Sequence, residues 1–402
     1  MNKRIIYLLI IILFLISIIG IIIFKDIYKT NNNSKEDIVI TDNDFTLNFI
    51  KNVNKNKLEN YLVSPYSVEV ALNMLKSGAN GNTLEGLNKV LSKRNLKINN
   101  DNVKIANGIF IKDMYKNAIK DTFTNNLKTN FNAEILYDEF TTPNVINNWV
   151  NDKTNGMINK ILDDISPDFV LGLANAIAID AKWESVFECI STTSETFNKV
   201  DGKKINVQMM HKTYQSGIKY LDGDTKGVVI PYQENLEFIG LLPNNNVQEY
   251  INSLSKEKLD NTLNSFKDIS SKERILLSLP RFSYSYDLKD FKDILVDMGI
   301  KDAFDSSNAN FSNIISPEIE KLYVSEAIHK TYIDLNEKGT KAAAVTYFGL
   351  DKNSASSTNK YKNIKIEFNK PFIYMIRDTS SKEILFFGTV YEPNIWNGST
   401  CE

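Results

Sequence analysis

The chain is poor in the residue types that carry most catalytic chemistry. It has only two cysteines and two histidines among 402 residues, and no HExxH, GxSxG, P-loop or GxGxxG motif occurs. Hydrolase, metalloenzyme and nucleotide-binding functions therefore lack their usual residues. We expect no enzymatic activity, no metal ion and no cofactor.

The net charge is also small. Lysine and arginine number 47 against 49 aspartate and glutamate residues, a net charge of -2. No basic footprint for nucleic acid results, so we expect no nucleic-acid partner. With 43% hydrophobic residues the composition is that of an ordinary globular protein.

The two cysteines, Cys189 and Cys401, have no CxxC partner or metal-ligand neighbour. Sequence alone does not place them within bonding distance, so we expect two free thiols, with pairing as the alternative. Cys401 lies in a polar tail that we assign to residues 396–402.

The N-terminus carries the one long apolar run, Ile5 to Phe24. As a helix rising about 1.5 Å per residue it could cross a hydrocarbon core of about 30 Å. No small-residue cleavage pattern follows it. We predict an anchor or uncleaved signal over residues 1–24, a polar tether over residues 25–41, and an extracytoplasmic protein that is membrane-anchored or secreted.

Residues 42–395 mix helical and strand patterns without a repeat or a long linker, which favours one α+β domain. Ser64 and Pro65 predict an N-cap and a first helical residue, and Asn82 is a candidate cap for a second helix. The segments Pro371 to Arg377 and Ile384 to Val390 predict a hairpin that is apolar on both faces and therefore lies in the core.

A strand over Tyr323 to Leu335 would place His329 on the same face as Thr331 and Ile333, so we expect His329 to be buried and structural. A small-residue segment follows. As a strand it would direct Thr340 to the core, and no proline interrupts the chain between Gly339 and Pro371. From this segment alone, a mobile surface loop with an alanine-rich root is the simpler interpretation.

The neighbouring segments change that interpretation, because the chain resembles the serpins. The resemblance covers roughly residues 42–395 and rests on motifs that occur in the order of the family: Asn60-Tyr61-Leu62-Val63-Ser64-Pro65-Tyr66-Ser67; Asn175 with Lys182-Trp183-Glu184; Val207-Gln208-Met209-Met210; Leu279-Pro280-Arg281-Phe282; Ser325-Glu326-Ala327-Ile328-His329-Lys330; Glu337-Lys338-Gly339-Thr340; Phe368-Asn369-Lys370-Pro371-Phe372; and Phe387-Gly388-Thr389-Val390-Tyr391-Glu392-Pro393.

The resemblance implies an α+β serpin fold with three β-sheets, about eight or nine helices and an exposed reactive-centre loop. It also implies an inhibitor of serine proteases that acts as a suicide substrate, whose cleaved loop becomes a strand of the central sheet. The partner is a target serine protease, or alternatively a cysteine protease. We expect a monomer, and the short run between Leu91 and Ala106 leads us to expect no heparin binding.

Residue roles follow from the same resemblance. The loop hinge would comprise Glu337, Gly339, Thr340, Ala342, Ala343, Ala344 and Thr346. A conformational cluster at the shutter and breach of the sheet would comprise Ser64, Ser67, Asn175, His329 and Trp183. Counting about seventeen residues from Glu337, as the family geometry suggests, places the cleaved bond at Asn353-Ser354, with Lys352 one step away. Counting back from Phe368 gives Lys360-Tyr361 as the second candidate.

Two other hypotheses stay open at this point. A non-inhibitory serpin that acts as a binding or chaperone-like module is suggested by Lys341, where the family usually has an acid, and by the bulk of Phe348. An unrelated surface-anchored binding protein is suggested only by the N-terminal run.

Overall fold

The computed structural model describes residues 43–55, 57–92, 102–167, 169–319, 321–340 and 361–394. The predicted anchor, the tether and the polar tail lie outside these ranges, as do residues 341–360 of the predicted loop. Within the described ranges no helix is both long and apolar enough to cross a membrane.

Helices account for much of the first third of the described chain. Helix α2 begins where the sequence predicts, because the Ser64 hydroxyl accepts a hydrogen bond from the Ser67 N–H at 3.1 Å and Pro65 occupies the first helical position. The α-helices of the described ranges are α1 (Asn43–Asn54), α2 (Pro65–Gly78), α3 (Gly81–Val90), α4 (Asp121–Phe131), α5 (Asn144–Lys153), α6 (Val247–Asn252), α7 (Lys256–Asn264) and α8 (Phe291–Asp297). Short 3-10 helices span Asp113–Ala118, Cys189–Ser191 and Asp302–Phe304.

The largest sheet has seven strands, and many of its residues belong to the main hydrophobic core. Its order is β1 (Tyr61–Val63), β19 (Ile384–Val390), β18 (Phe372–Asp378), β10 (Leu236–Pro243), β9 (Thr225–Pro231), β8 (Lys219–Leu221) and β11 (Lys267–Asp268). Strands β18 and β19 pair antiparallel and every residue of β19 is buried. The predicted core hairpin is confirmed.

The chain enters a second sheet, of four strands, directly after the predicted loop. Its order is β17 (Lys362–Glu367), β12 (Glu273–Pro280), β7 (Lys204–Tyr214) and β6 (Thr192–Asn198). The described chain resumes at Tyr361 after residue 340, and strand β17 begins at the next residue and runs parallel to β12. This sheet therefore receives the C-terminal end of the predicted loop.

The central sheet consists of two hydrogen-bonded halves. One half is β13 (Phe282–Asp287), β15 (Lys330–Asn336), β16 (Gly339–Thr340) and β5 (Ala181–Lys182); the other is β14 (Glu326–Ala327), β4 (Leu171–Ile179), β2 (Val103–Lys112) and β3 (Glu134–Asp138). Only Asp180 separates β4 from β5, and only Ile328 and His329 separate β14 from β15. The halves therefore belong to one sheet that is parted between β4 and β15.

Helix α2 lies between this central sheet and the seven-stranded sheet, because it contacts both β4 and β19. Ten of its residues are buried, so little of its surface reaches solvent. The described residues from Asp44 onward belong to one compact unit. With the two halves taken together, the three sheets and eight described α-helices agree with the predicted α+β architecture.

Candidate functional site

The candidate site begins at β16, which is the start of the predicted loop. Gly339 pairs with Asn336 of β15 on one side and with Lys182 of β5 on the other, and both pairings are antiparallel. Thr340 likewise lies between Leu335 and Ala181. The predicted hinge residues Gly339 and Thr340 are thus already a short strand between β15 and β5.

Glycine is required at position 339 for steric reasons. Its φ is 149°, a conformation that side-chain-bearing residues rarely adopt, and a Cβ there would lie 2.1 Å from the Ala181 carbonyl oxygen. No real Cβ approaches a backbone oxygen that closely. The close passage of β16 along β5 therefore depends on Gly339.

Thr340 points into the core, as the parity argument predicts. It is 3% exposed, and its hydroxyl shares a 2.6 Å hydrogen bond with the Tyr232 hydroxyl. Burial raises the pKa of Tyr232 far above its ordinary value, so this phenol stays protonated. A neutral hydroxyl pair thus holds the inserted end of the hinge.

Trp183 closes this hinge from the side of β5. Its ring stacks on Tyr232 with 4.2 Å between centroids and 7° between planes. Its indole N–H donates to the Asn336 carbonyl at 2.9 Å, and its backbone N–H donates to the Lys338 carbonyl at 3.0 Å. Trp183, placed beside loop entry by the resemblance, contacts the turn that leads into β16 at Asn336 and at Lys338.

Glu337 is the polar anchor of the turn and is only 7% exposed. Its carboxylate accepts from the Thr192 hydroxyl at 2.6 Å and lies 3.5 Å from the Arg281 guanidinium. Its carbonyl accepts from the Phe187 N–H at 2.9 Å. These contacts connect the hinge to the second sheet, because Thr192 opens β6 and Arg281 directly follows β12.

Three of these partners were missed in the sequence as hinge residues: Thr192, Tyr232 and the role of Arg281. Each contacts the hinge from more than fifty positions away, so no local spacing could reveal them. Two features of the sequence could have indicated them: Tyr232 directly follows a largely apolar strand that ends at Pro231, and Arg281 lies inside the Leu279 to Phe282 motif.

The conformational cluster lies beneath the other end of the parting. His329 is 3% exposed, and its Nε2 accepts a 3.0 Å hydrogen bond from the Ser64 backbone N–H. The ring proton of the neutral imidazole is therefore on Nδ1. Burial lowers the pKa of His329 to about 3, which keeps the ring neutral near pH 7. The predicted burial of His329 is confirmed.

Beside this histidine is an internal cavity of about 30 Å³, lined by Ser67, Leu173, Phe291, Val324 and His329 among others. The Ser67 hydroxyl is fully buried and has no hydrogen-bond partner in the described part of the chain. The cavity is large enough for a water molecule. The side chain of Asn175 lies outside what the structure describes, and only its backbone, paired with Asn107 across β4 and β2, is placed.

The parting itself lies between these two groups. On the side facing β15, strand β4 pairs only with β14, through Gly172 and Leu173. Within the described residues no strand pairs with β4 from Ala174 to Ile179 on that side, whereas β2 pairs with it along the whole opposite edge. An edge with unpaired backbone groups is a template for a further strand.

Of the remaining predicted loop residues, the structure describes only Tyr361. Ala342, Ala343, Ala344, Thr346, Lys352, Asn353, Ser354 and Lys360 lie outside the described residues. Tyr361 is described: it directly precedes β17, and the Arg274 guanidinium carbon lies 5.8 Å from the centroid of its ring. One side of the second candidate bond is thus held against the second sheet.

The expectation of free thiols is wrong for Cys189, which is disulfide-bonded. The absence of a local motif carried no information, because the fold can bring distant cysteines together. Among the described residues, no group of three or more His, Cys, Asp or Glu side chains could hold a metal ion.

Comparison with known proteins identifies the class that this geometry defines. The family described as Serpin (serine protease inhibitor) matches residues 41–393. The chain belongs to the serpin family, as the resemblance predicted.

Individual relatives agree. An uncharacterized serpin-like protein of Methanosarcina acetivorans is 31% identical over 361 residues, which cover 83% of this chain and 82% of that protein. Human glia-derived nexin is 30% identical over 365 residues, covering 83% and 88%. The native-state crystal structure of the thermophilic serpin tengpin superposes with a TM-score of 0.77 at 34% identity, covering 87% of this chain and 92% of tengpin.

Proposed function

We propose that this chain inhibits serine proteases as a suicide substrate. The observation that carries the proposal is β16, in which Gly339 and Thr340 are already hydrogen-bonded between β15 and β5. The hinge is the first part of a strand whose continuation would fill the edge of β4 beyond Leu173.

The proposed reaction is one of acyl transfer. The protease serine attacks the carbonyl carbon of Asn353, an ester forms, and the amine of Ser354 leaves with a proton. The chain N-terminal to the cut is then free to continue β16 into the sheet, carrying the esterified protease with it. Tyr361, held beside Arg274 at the start of β17, supports a cut upstream of the Lys360-Tyr361 alternative.

The geometry supports continuation because each residue added after Thr340 would keep the alternation that Thr340 begins. Ala342, Ala344 and Thr346 would share its inward face, where small side chains meet the core, while Lys341 would face solvent. Backbone hydrogen bonds to both neighbouring strands would form as the strand grows, with a net contribution of about 1 kcal/mol each.

The test is a protease panel with trypsin-like, chymotrypsin-like and papain-like members. An inhibited target gives a complex that survives boiling in SDS, and mass spectrometry after reduction identifies the released peptide. We expect its first residue to be Ser354. If every protease cuts the loop without forming a complex, and cleavage does not raise the thermal stability, the chain is a non-inhibitory serpin.

A matched pair of variants tests the insertion step. Thr340→Arg places a charge at a position that is 3% exposed. Burying an unpaired charge has a penalty of several kcal/mol, so we expect cleavage without complex formation. Thr340→Ser keeps the hydroxyl for Tyr232 and should still form the complex. Equal inhibition by both variants would contradict insertion.

We also propose that Ile5 to Phe24 anchors the protein at an extracytoplasmic membrane face. The length and apolarity of this run support the proposal. Alkaline carbonate should leave the full chain in the membrane fraction but release a variant lacking residues 1–24. Release of both would refute the anchor.

A further inference from the structure

The second sheet carries a serine, a histidine and a glutamate that are hydrogen-bonded in series on three adjacent strands. Ser278 of β12 is the direct antiparallel partner of His211 of β7, and the Ser278 hydroxyl lies 3.0 Å from His211 Nδ1. On the other side of the ring, Oε1 of Glu195, a residue of β6, lies 2.9 Å from His211 Nε2. The imidazole therefore joins a hydroxyl to a carboxylate through its two nitrogens.

The carboxylate determines which ring nitrogen carries the proton. An ionised carboxylate only accepts hydrogen bonds, so Nε2 of the neutral imidazole is the donor to Glu195. The Thr193 hydroxyl, 3.2 Å from Nε2, donates to the same Glu195 oxygen at 3.4 Å. Nδ1 then presents its lone pair to the Ser278 hydroxyl, which donates to it. This is the order of nucleophile, base and orienting carboxylate that serine-dependent acyl transfer uses.

The three side chains line an open cleft of about 740 Å³, here named the second-sheet cleft. Small-molecule sites have volumes of about 300–1000 Å³. One wall of the cleft contains Ser185 and Val186, and the Lys212 ammonium holds this wall by donating to their carbonyls at 2.9 and 2.5 Å. The cleft is therefore formed before any ligand binds.

Charged residues of the cleft indicate which substrates it favours. On β17, Glu367 pairs with Ser278 and Lys365 pairs with Leu276, and both charged residues line the cleft. Lys365 is thus diagonal to Ser278 on the neighbouring strand, a separation that a long side chain can bridge. We assign its ammonium to the oxyanion that forms during acyl transfer. Glu188 and Glu367 add negative charge to the lining, which favours neutral or cationic substrates over anionic ones.

We propose that Ser278, His211 and Glu195 form an acyl-transfer site that hydrolyses small carboxylic esters. Ser278 Oγ attacks the ester carbonyl carbon while its proton passes to His211 Nδ1. The bond from that carbon to the alcohol oxygen breaks, and the alcohol leaves with the proton. Water then attacks the acyl group, a proton returns through Nδ1 to Ser278 Oγ, and the carboxylic acid is released. Ser278 and His211 are catalytic residues, whereas Glu195 is a positioning residue because it acts through the imidazole.

Local motifs could not reveal this site, because Ser278 and His211 are 67 positions apart. We therefore depart here from the expectation of no enzymatic activity, which rested on local motifs. The site uses neither the predicted loop nor its hinge residues Gly339 and Thr340. Ester hydrolysis and protease inhibition can thus fail independently of each other.

The first test maps covalent modification of the unmodified full chain, so it does not depend on the folding of any variant. A biotinylated fluorophosphonate phosphonylates an activated serine with loss of fluoride. Tryptic cleavage after Arg274 and Arg281 gives peptide 275–281, in which Ser278 is the one hydroxyl-bearing residue. We expect the phosphonate on this peptide in the folded chain and not in a chain unfolded in urea. Label on other peptides with none on Ser278 would overturn the proposal.

The second test is the hydrolysis of p-nitrophenyl acetate by purified full-length variants. Ser278→Ala and His211→Gln should each lower the rate at least tenfold. Glu195→Gln and Lys365→Met should lower kcat at least threefold with KM within twofold. Ser194→Ala is the matched control, because Ser194 is exposed on β6 and is not part of the cleft lining, and it should keep the rate within twofold.

A third measurement separates a base from a merely structural histidine. His211→Ala should lose fluorophosphonate labelling of Ser278, and added imidazole should restore it, because the small base can occupy the space of the missing ring. Labelling of Ser278 that is equal with and without the His211 side chain would overturn the role of the base. Equal ester hydrolysis by all variants, or labelling without turnover, would overturn the hydrolytic activity, and neither result would bear on the inhibition of proteases.

Discussion

Under the proposed function, adding one methyl group at the hinge should convert the chain from an inhibitor into a substrate of its target protease. In Gly339→Ala the new Cβ would lie 2.1 Å from the Ala181 oxygen and 2.8 Å from the Lys182 Cα, both backbone atoms that cannot rotate away. Relief requires a shift of more than about 1 Å at β16, which breaks its pairing with β5.

The size of the effect follows from two contributions. A residue with a side chain at a φ of 149° carries about 1–3 kcal/mol of backbone strain. Losing a hydrogen bond to β5 adds about 1 kcal/mol. A total of about 2–4 kcal/mol, if fully felt in the insertion barrier, slows insertion by about 30-fold to 1000-fold at 1.36 kcal/mol per tenfold. Hydrolysis of the acyl-enzyme competes with insertion and would then win.

The assay is the stoichiometry of inhibition, that is, the number of inhibitor molecules consumed for each protease inactivated. We expect it to rise at least tenfold for Gly339→Ala, with cleaved inhibitor in place of the SDS-stable complex. Lys338→Ala is the matched control, because it changes the adjacent side chain but keeps the backbone carbonyl that accepts from the Trp183 N–H. A stoichiometry within twofold of the unmodified chain, in a variant that is folded by circular dichroism, would refute the assignment of β16 as the start of insertion.

Two further predictions concern stability. Tyr232→Phe leaves the buried Thr340 hydroxyl without its partner, so the free energy of unfolding measured in urea should fall by about 1–3 kcal/mol. The double variant Tyr232→Phe with Thr340→Val should regain part of that loss. No recovery in the double variant would argue against the hydroxyl pair. His329 has a pKa of about 3 in the folded chain, so the unfolded chain binds the extra proton as the pH falls below about 6.5, and stability falls with pH. Relative to His329→Gln, the unmodified chain should lose about 2 kcal/mol between pH 6 and 4.5, and parallel pH profiles of the two proteins would contradict a buried neutral histidine.

The elements that local residues determine were predictable. Ser64 and Pro65, which are adjacent in the sequence, fix the start of α2. The alternation of side chains along a strand was enough to predict that His329 is buried. The N-cap of α3 was predicted at Asn82, but the cap is Asn80 and the helix begins at Gly81. Asn80 is held there by the Asn310 carbonyl at 2.9 Å, a contact across the fold that the sequence does not display.

The candidate site likewise has features that the sequence predicts and contacts that only the fold creates. The inward direction of Thr340 followed from strand parity, but its partner Tyr232 could not, since Thr340 lies in the central sheet and Tyr232 directly follows β9 of the seven-stranded sheet. The hydrogen bond from Thr192 to Glu337 likewise depends on how the second sheet meets the central one. The family resemblance predicted the hinge, whereas only the folded chain gives the atoms that contact Glu337 and Thr340.

The two-residue strand β16 also has a kinetic meaning. Starting a strand between two edges requires ordering the first residues before enough contacts form to hold them, at about 1–2 kcal/mol of backbone entropy for each residue. Here Gly339 and Thr340 are ordered before any protease arrives. In the proposed mechanism, growth of the new strand is propagation from an existing nucleus, so its speed should depend on the residues after Thr340 and on release of the chain at the cut. The slow step of nucleation would have been completed during folding.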